Sequence, residues 1–149
     1  MKTFLLPYPY KFAGFILAGS GIILAILYIW FDFRFFMPVF AILSWFLEMK
    51  WFVVLKTNFA DELIMLSLLS GFFLIAFSKE RFERKQWMML RYKALFRALA
   101  VNSFFLFLSV IFVFGTAFIF ILVVNLISIF IFYLIFFYSL KRKALKKQL

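Results

Sequence analysis

Residues 98–140 form a run of 43 positions without one charged side chain. A single bilayer crossing needs about 20 apolar residues, so this run is too long for one span and right for two antiparallel ones. Gly115-Thr116, near its middle, is the expected turn. Backbone groups that leave a helix in hydrocarbon lose their hydrogen bonds at a cost of several kcal/mol each, so that turn belongs at a membrane surface.

The rest of the chain agrees with a membrane setting. Of 149 residues, 68% are hydrophobic and 15% charged, with a mean hydropathy of +1.10; soluble domains run near half apolar and a quarter charged. Two further segments reach spanning length, residues 12–31 and 61–77, which with 98–116 and 117–140 make four. The expected fold is therefore an all-α integral membrane protein of four transmembrane helices, the last two a tight hairpin. The first apolar run continues past Ala18-Gly19-Ser20 without a break, so it reads as a retained anchor, not a cleaved signal. Residues 35–55 are apolar but carry Pro38, Glu48 and Lys50. A charge at the centre of a span costs about 2.5 to 3.5 kcal/mol, so this stretch reads as an aromatic outer segment within residues 32–60. Its β-branched and aromatic runs at 39–43 and 51–55 suit a short hairpin or an amphipathic element against the membrane.

Charge partition gives the orientation. Net charge is +2 before the first span, −1 between Asp32 and Glu62, +5 from Lys79 to Arg97, and +5 in the tail 141–149. Four spans place all three basic segments on one side, which the positive-inside rule makes cytoplasmic. The expected location is the bacterial inner membrane with both termini inside.

Residues 78–97 read as a basic amphipathic helix continuous with the third span. Phe82, Met89 and Phe96 recur every seven residues, while Arg81, Arg84, Lys85, Arg91, Lys93 and Arg97 supply a cationic surface. Such a surface holds anionic lipid headgroups, at about 1 kcal/mol per cation, or an acidic cytoplasmic protein partner. No groove-reading motif or stacking platform accompanies it, so direct nucleic-acid binding is not expected.

Within the spans, Gly14, Ala18, Gly21 and Ala25 line up at four-three-four spacing, which lets a neighbouring helix approach closely. That neighbour is a span of the same chain in the first instance, or a second copy in a homo-oligomer. Asn102, Ser109 and Thr116 share heptad spacing, and Asn125, Ser128 and Ser139 share a face of the fourth span. They read as interhelical glue worth about 0.6 kcal/mol per bond, or as the lining of a polar path. The spans' interiors hold no Asp, Glu, Lys or Arg, which argues against an ion-coupled carrier. Asp61 and Glu62 open the second span, where Thr57 or Asn58 caps free amides and the acids meet the positive helix end. The chain has no Cys and no His, so thiolate or imidazole metal sites, cofactors held by them, and Cys or His catalysis are excluded.

Four stretches carry a family resemblance: residues 57–63, residues 74–80 with Ala76-Phe77-Ser78-Lys79-Glu80, residues 98–102, and Phe114-Gly115. Together they resemble a family of small multi-span proteins from Bacteroidota. That resemblance implies an aromatic outer segment between the first two spans; the family has no assigned activity, substrate or cofactor to carry over. This chain has Arg84 and Lys85 where that family carries acids, and no Arg near Phe136 where the family often has one. The expected role is that of a non-enzymatic small subunit, scaffold or signalling adaptor. The alternative is a small transporter or lipid-handling protein using the polar faces of the last two spans.

Overall fold

Pro9 starts the first helix, α1 (Pro9–Phe31), where its preset φ suits the helix and its missing N–H is no loss. In the computed structural model, which describes residues 5–45 and 49–146, Asp32 then ends α1 in the left-handed region at φ 49°. Two strands follow, β1 (Phe36–Trp45) and β2 (Met49–Asn58), paired antiparallel with Phe36 opposite Asn58 and Ala41 opposite Val53. The ladder skips the level of Phe52, whose φ of 51° is a conformation that a bulky side chain disfavours. Three more helices complete the chain: α2 (Ala60–Phe77), α3 (Lys85–Phe112) and α4 (Thr116–Lys146).

The protein is thus mostly helical, with four helices long and apolar enough to cross a membrane. The residues between the first two helices form a ribbon of strands, the one departure from an all-helical chain among the described residues. Glu48, one of the charges that argued against a fifth span, lies outside the described residues. Phe12, Ile23, Phe104, Phe107 and Phe120 all point outward from the helices. Water would reject that surface and lipid accepts it.

Three boundaries differ from the sequence reading. The helix expected over residues 78–97 begins only at Lys85, because the chain from Ser78 is extended and held by other partners. Lys79 donates its N–H to the Leu6 carbonyl, and the Glu80 N–H goes to the Glu83 carboxylate. At the other end α3 stops at Phe112, and the connection is Val113, Phe114 and Gly115, with the left-handed φ of 70° falling on Gly115. The tail continues α4 as helix through Lys146; residues 147–149 lie outside the described residues. At 1.5 Å per residue the 28 residues of α3 and 31 of α4 span about 42 and 46 Å, against about 30 Å of hydrocarbon. Both helices therefore project beyond the core.

Packing joins α1 to α2 and α3 to α4, with α4 also touching α2. Along α1 the small residues Gly14, Ala18 and Gly21 are buried and Ala25 is half-buried. They meet α2 at Leu68, Gly71 and Ile75: a Cβ on Gly14 would come within 2.9 Å of the Gly71 carbonyl oxygen, and one on Gly71 within 2.8 Å of the Ala18 Cα. This stripe is therefore used inside the chain. The second contact is built on the opposite size logic. Tyr133 and Phe137 of α4, stacked at 6.1 Å, fill the space left by Ala76 of α2 and Ala94 and Ala98 of α3.

Gly71→Ala forces apart two backbones already in contact and should lower stability by about 1 to 3 kcal/mol. Gly19→Ala, on the open face of α1 with nothing within 4 Å, should cause no loss. Unfolding of the purified variants in detergent measures the difference.

Candidate functional site

One end of the molecule gathers the start of α1, the end of α2, the start of α3 and the end of α4. Leu6 bridges to the end of α2, its N–H donating to the Phe77 carbonyl at 2.9 Å. Most of the chain's charge lies here, and the geometry divides it into two populations.

The first population is internal. Arg91, one turn and a half into α3, is buried and commits all five of its donors. Its Nε and Nη2 donate to the two Glu83 carboxylate oxygens at 3.2 and 3.1 Å. Its Nη1 donates to the Ala76 carbonyl and the Tyr133 hydroxyl, and Nη2 also to the Ser78 carbonyl, each at 3.1 Å. The guanidinium plane lies 4.5 Å from the Phe137 ring. Ala76 and Ser78 carry carbonyls that a helix end leaves without intrahelical partners, at the negative pole of α2. Nearby, Glu80 takes Lys11 of α1 at 2.5 Å and Lys141 of α4 at 3.2 Å. Lys11 also donates to the Tyr138 hydroxyl at 2.8 Å, and Lys141 stands 4.4 Å above the Trp87 ring. Burial would push the Glu80 carboxyl up, but the hydrogen bonds and charges of Lys11 and Lys141 outweigh it and hold Glu80 below its ordinary value of 4.5.

The second population faces outward. Arg81, Lys93 and Arg97 are exposed, as are Arg142, Lys143 and Lys146 at the end of α4, and none of these six is in an ion pair among the described residues. Arg84 lies 6.0 Å from the Trp87 ring; Lys85 is the first residue of α3. The cationic set expected from sequence is therefore split. Arg91 is the correction: it shares the charge and the heptad neighbourhood of the others, yet it is an internal strut, because the Glu83 carboxylate and the end of α2 converge on it. The paired acids of residues 80 and 83 are the functional groups that sequence reasoning passed over. A signal existed in Lys11, a lone cation inside the first helix that needed a counter-ion.

Between α2, α3 and α4 an apolar groove of about 420 Å³ is lined by Phe73, Phe77, Met88, Leu95, Ile129 and Phe130, with Arg91 and Tyr133 at one side. Deeper in the helices, Asn102 and Asn125 are buried and pair with each other, Asn102 Nδ2 donating to Asn125 Oδ1 at 3.1 Å and Asn125 Nδ2 to the Asn102 carbonyl at 3.4 Å. The Ser128 hydroxyl donates to Asn102 Oδ1. These three face each other across α3 and α4 as glue. Ser109 instead returns its hydroxyl to the Phe105 carbonyl of its own helix at 2.8 Å, and Ser139 is exposed.

At the opposite end, Asn58 Oδ1 accepts the N–H groups of Phe35 and Ala60, tying the ribbon to the start of α2. Asp61 accepts from Asn58 Nδ2 at 3.2 Å, and Asp32 pairs with Arg34 at 2.9 Å. These acids do not converge, and the described residues contain no group of three or more Asp or Glu able to hold a metal ion. No protein-family model, curated protein or solved structure matches the chain.

Replacing Arg91 by Met removes five hydrogen bonds and strands the Glu83 carboxylate, so stability should fall by about 3 to 5 kcal/mol. Arg91→Lys should recover only a minor part, since three rotatable donors on one atom cannot reach the two carbonyls at the end of α2, the Tyr133 hydroxyl and Glu83 together. Because Glu80 sits lower in the fold than its ordinary 4.5, its stabilising contribution is complete above that pH and is lost as pH falls through the folded value. Melting temperatures of wild type and Glu80→Gln should therefore converge on acidification and separate above about pH 5.

Proposed function

We propose that this chain is a multi-pass inner-membrane protein acting as a small subunit, scaffold or signalling adaptor, with both termini cytoplasmic and a basic cytoplasmic face as its docking surface. The observation that carries this reading is the division of charge at one end. The two acids of the α2–α3 connection are used up by Lys11, Lys141 and Arg91, so the exposed Arg81, Lys93, Arg97, Arg142, Lys143 and Lys146 present one sign to their surroundings. A one-sign surface on helices that project past the hydrocarbon draws anionic lipid and acidic protein segments together. The positive-inside rule puts that surface in the cytoplasm. The reading is non-enzymatic, and what supports it is the charge partition together with the lack of Cys and His side chains.

The apolar groove favours one second reading, lipid handling, at a different place from the polar faces of α3 and α4. The Asn102, Asn125 and Ser128 side chains satisfy one another, which counts against a hydrated path between those helices.

A tagged copy extracted in mild detergent should retain a stoichiometric protein partner, and Arg81→Ala, Lys93→Ala and Arg97→Ala together should reduce its recovery at least tenfold without changing the melting temperature. Arg91 is left intact because its loss would unfold the protein. Recovery of one tightly held lipid and no protein, unaffected by that triple change, would transfer the assignment to lipid handling.

A further inference from the structure

Toward its end α4 sorts its side chains into two rows. Tyr133, Phe137 and Lys141, four residues apart, run along the inward side, where the two rings pack beside Ala76, Ala94 and Ala98 and Lys141 reaches Glu80 at 3.2 Å. The outward side carries an open groove of about 590 Å³. Leu134 and Ile135 line its part nearest the middle of the helix, Tyr138 and Ser139 come next, and Arg142, Lys143 and Lys146 surround its far end. From Leu134 to Lys146 this face rises about 18 Å, slightly more than half of a hydrocarbon core about 30 Å thick. A groove that begins among lipid tails therefore ends among headgroups.

The inward cation finds its acid within the protein, and the outward three do not. Arg142, Lys143 and Lys146 are exposed, and among the described residues no carboxylate pairs with them or lines the groove. Like charges on neighbouring turns of one helix repel until an anion comes from outside. We propose that this groove binds one anionic phospholipid whose headgroup carries two phosphates, of the cardiolipin type. An acyl chain lies along Leu134 and Ile135, and the phosphates sit among Arg142, Lys143 and Lys146, as basic pockets at the end of membrane helices hold such headgroups. Inorganic phosphate or an acidic protein segment would meet the cations and leave the exposed Ile135 uncovered; a molecule that joins hydrocarbon to an anion matches both ends. A zwitterionic headgroup would bring its own cation against three others, with no acid in the groove to receive it. A single phosphate would neutralise one cation of the three, so two fit better. The site rests on the reading of this chain as a membrane protein with a basic outward face, but it needs no protein partner.

Native mass spectrometry of the full chain, purified in mild detergent and titrated with cardiolipin, phosphatidylglycerol or phosphatidylethanolamine, tests this site. One cardiolipin should stay bound, about fivefold more tightly than phosphatidylglycerol and more tightly still than phosphatidylethanolamine. Arg142→Gln, Lys143→Gln and Lys146→Gln together should weaken cardiolipin at least about tenfold and leave the melting temperature of the lipid-free protein unchanged. Arg81→Ala, Lys93→Ala and Arg97→Ala together should leave cardiolipin retention as in wild type, so this site and the docking of a protein partner can each fail alone. The chain has no cysteine, so a fluorophore on Ile135→Cys reports on the groove. Cardiolipin with brominated chains, added at one equivalent, should quench it and should not quench a fluorophore on Phe104→Cys, exposed on α3. Equal retention of the three lipids, retention that survives the triple glutamine change, or equal quenching at both positions would overturn the inference. So would displacement of the lipid by inorganic phosphate, or loss of a protein partner and not of lipid from the glutamine variant.

Discussion

The guanidinium of Arg91 holds together the end of the molecule on which everything else is arranged. Its five donors reach a carboxylate two residues before α3, two carbonyls at the end of α2 and a hydroxyl on α4, so one side chain sets the relative position of three helices. This solves a problem specific to a chain in lipid. The end of α2 leaves carbonyls without partners, and near the hydrocarbon boundary water is a poor source of them. Leu74 is served by the Ser78 hydroxyl, Phe77 by the Leu6 N–H, and Ala76 and Ser78 by Arg91, so four carbonyls at this terminus find their partners within the protein itself. A buried ion pair is seldom a net gain in stability, but here removing one partner leaves several polar groups stranded at once.

Glu80 repeats the device one turn away with α1 and α4 in place of α3. Together the two acids tie all four helices at one end, whereas the opposite end is held by the Asn58 contacts and a short turn. The middle relies on shape: glycines and alanines bring α1 against α2, and two aromatic rings of α4 fill the space beside alanines of α2 and α3. Because lipid tails give helices no hydrophobic reason to associate, close approach and satisfied polar groups have to supply the cohesion. The exposed cations are what remains after this internal pairing, which is why the outward face at this end is basic.

Several features were legible in the residues themselves. The charge-free run at 98–140 announced two helices, and the four-three-four spacing of Gly14, Ala18, Gly21 and Ala25 announced a close helix contact, because both depend on local composition and on helical period alone. Asn102, Asn125 and Ser128 were marked as interhelical partners for the same reason. Ser109, equally well spaced, bonds to its own helix, since a hydroxyl can always reach the carbonyl four residues back and spacing cannot tell the two outcomes apart. Arg91 was grouped with Arg84 and Lys93 because charge and helical position are all a sequence displays.

What the sequence determined by itself is therefore everything that follows from transfer between water and hydrocarbon: four helices of spanning length, the sign of charge at their ends, and a glycine-bearing, turn-forming break between the last two. The tertiary structure alone decided which cations face inward, where the helix of the basic segment begins, and which small residues meet which partners. The physical reason is that burial in lipid is a property of each segment, additive along the chain, while pairing a charge depends on distance to an acid or a carbonyl on another helix. Lys11 lies 69 positions from Glu80 in the chain, and only the packing of α1 against α2 brings them within 2.5 Å.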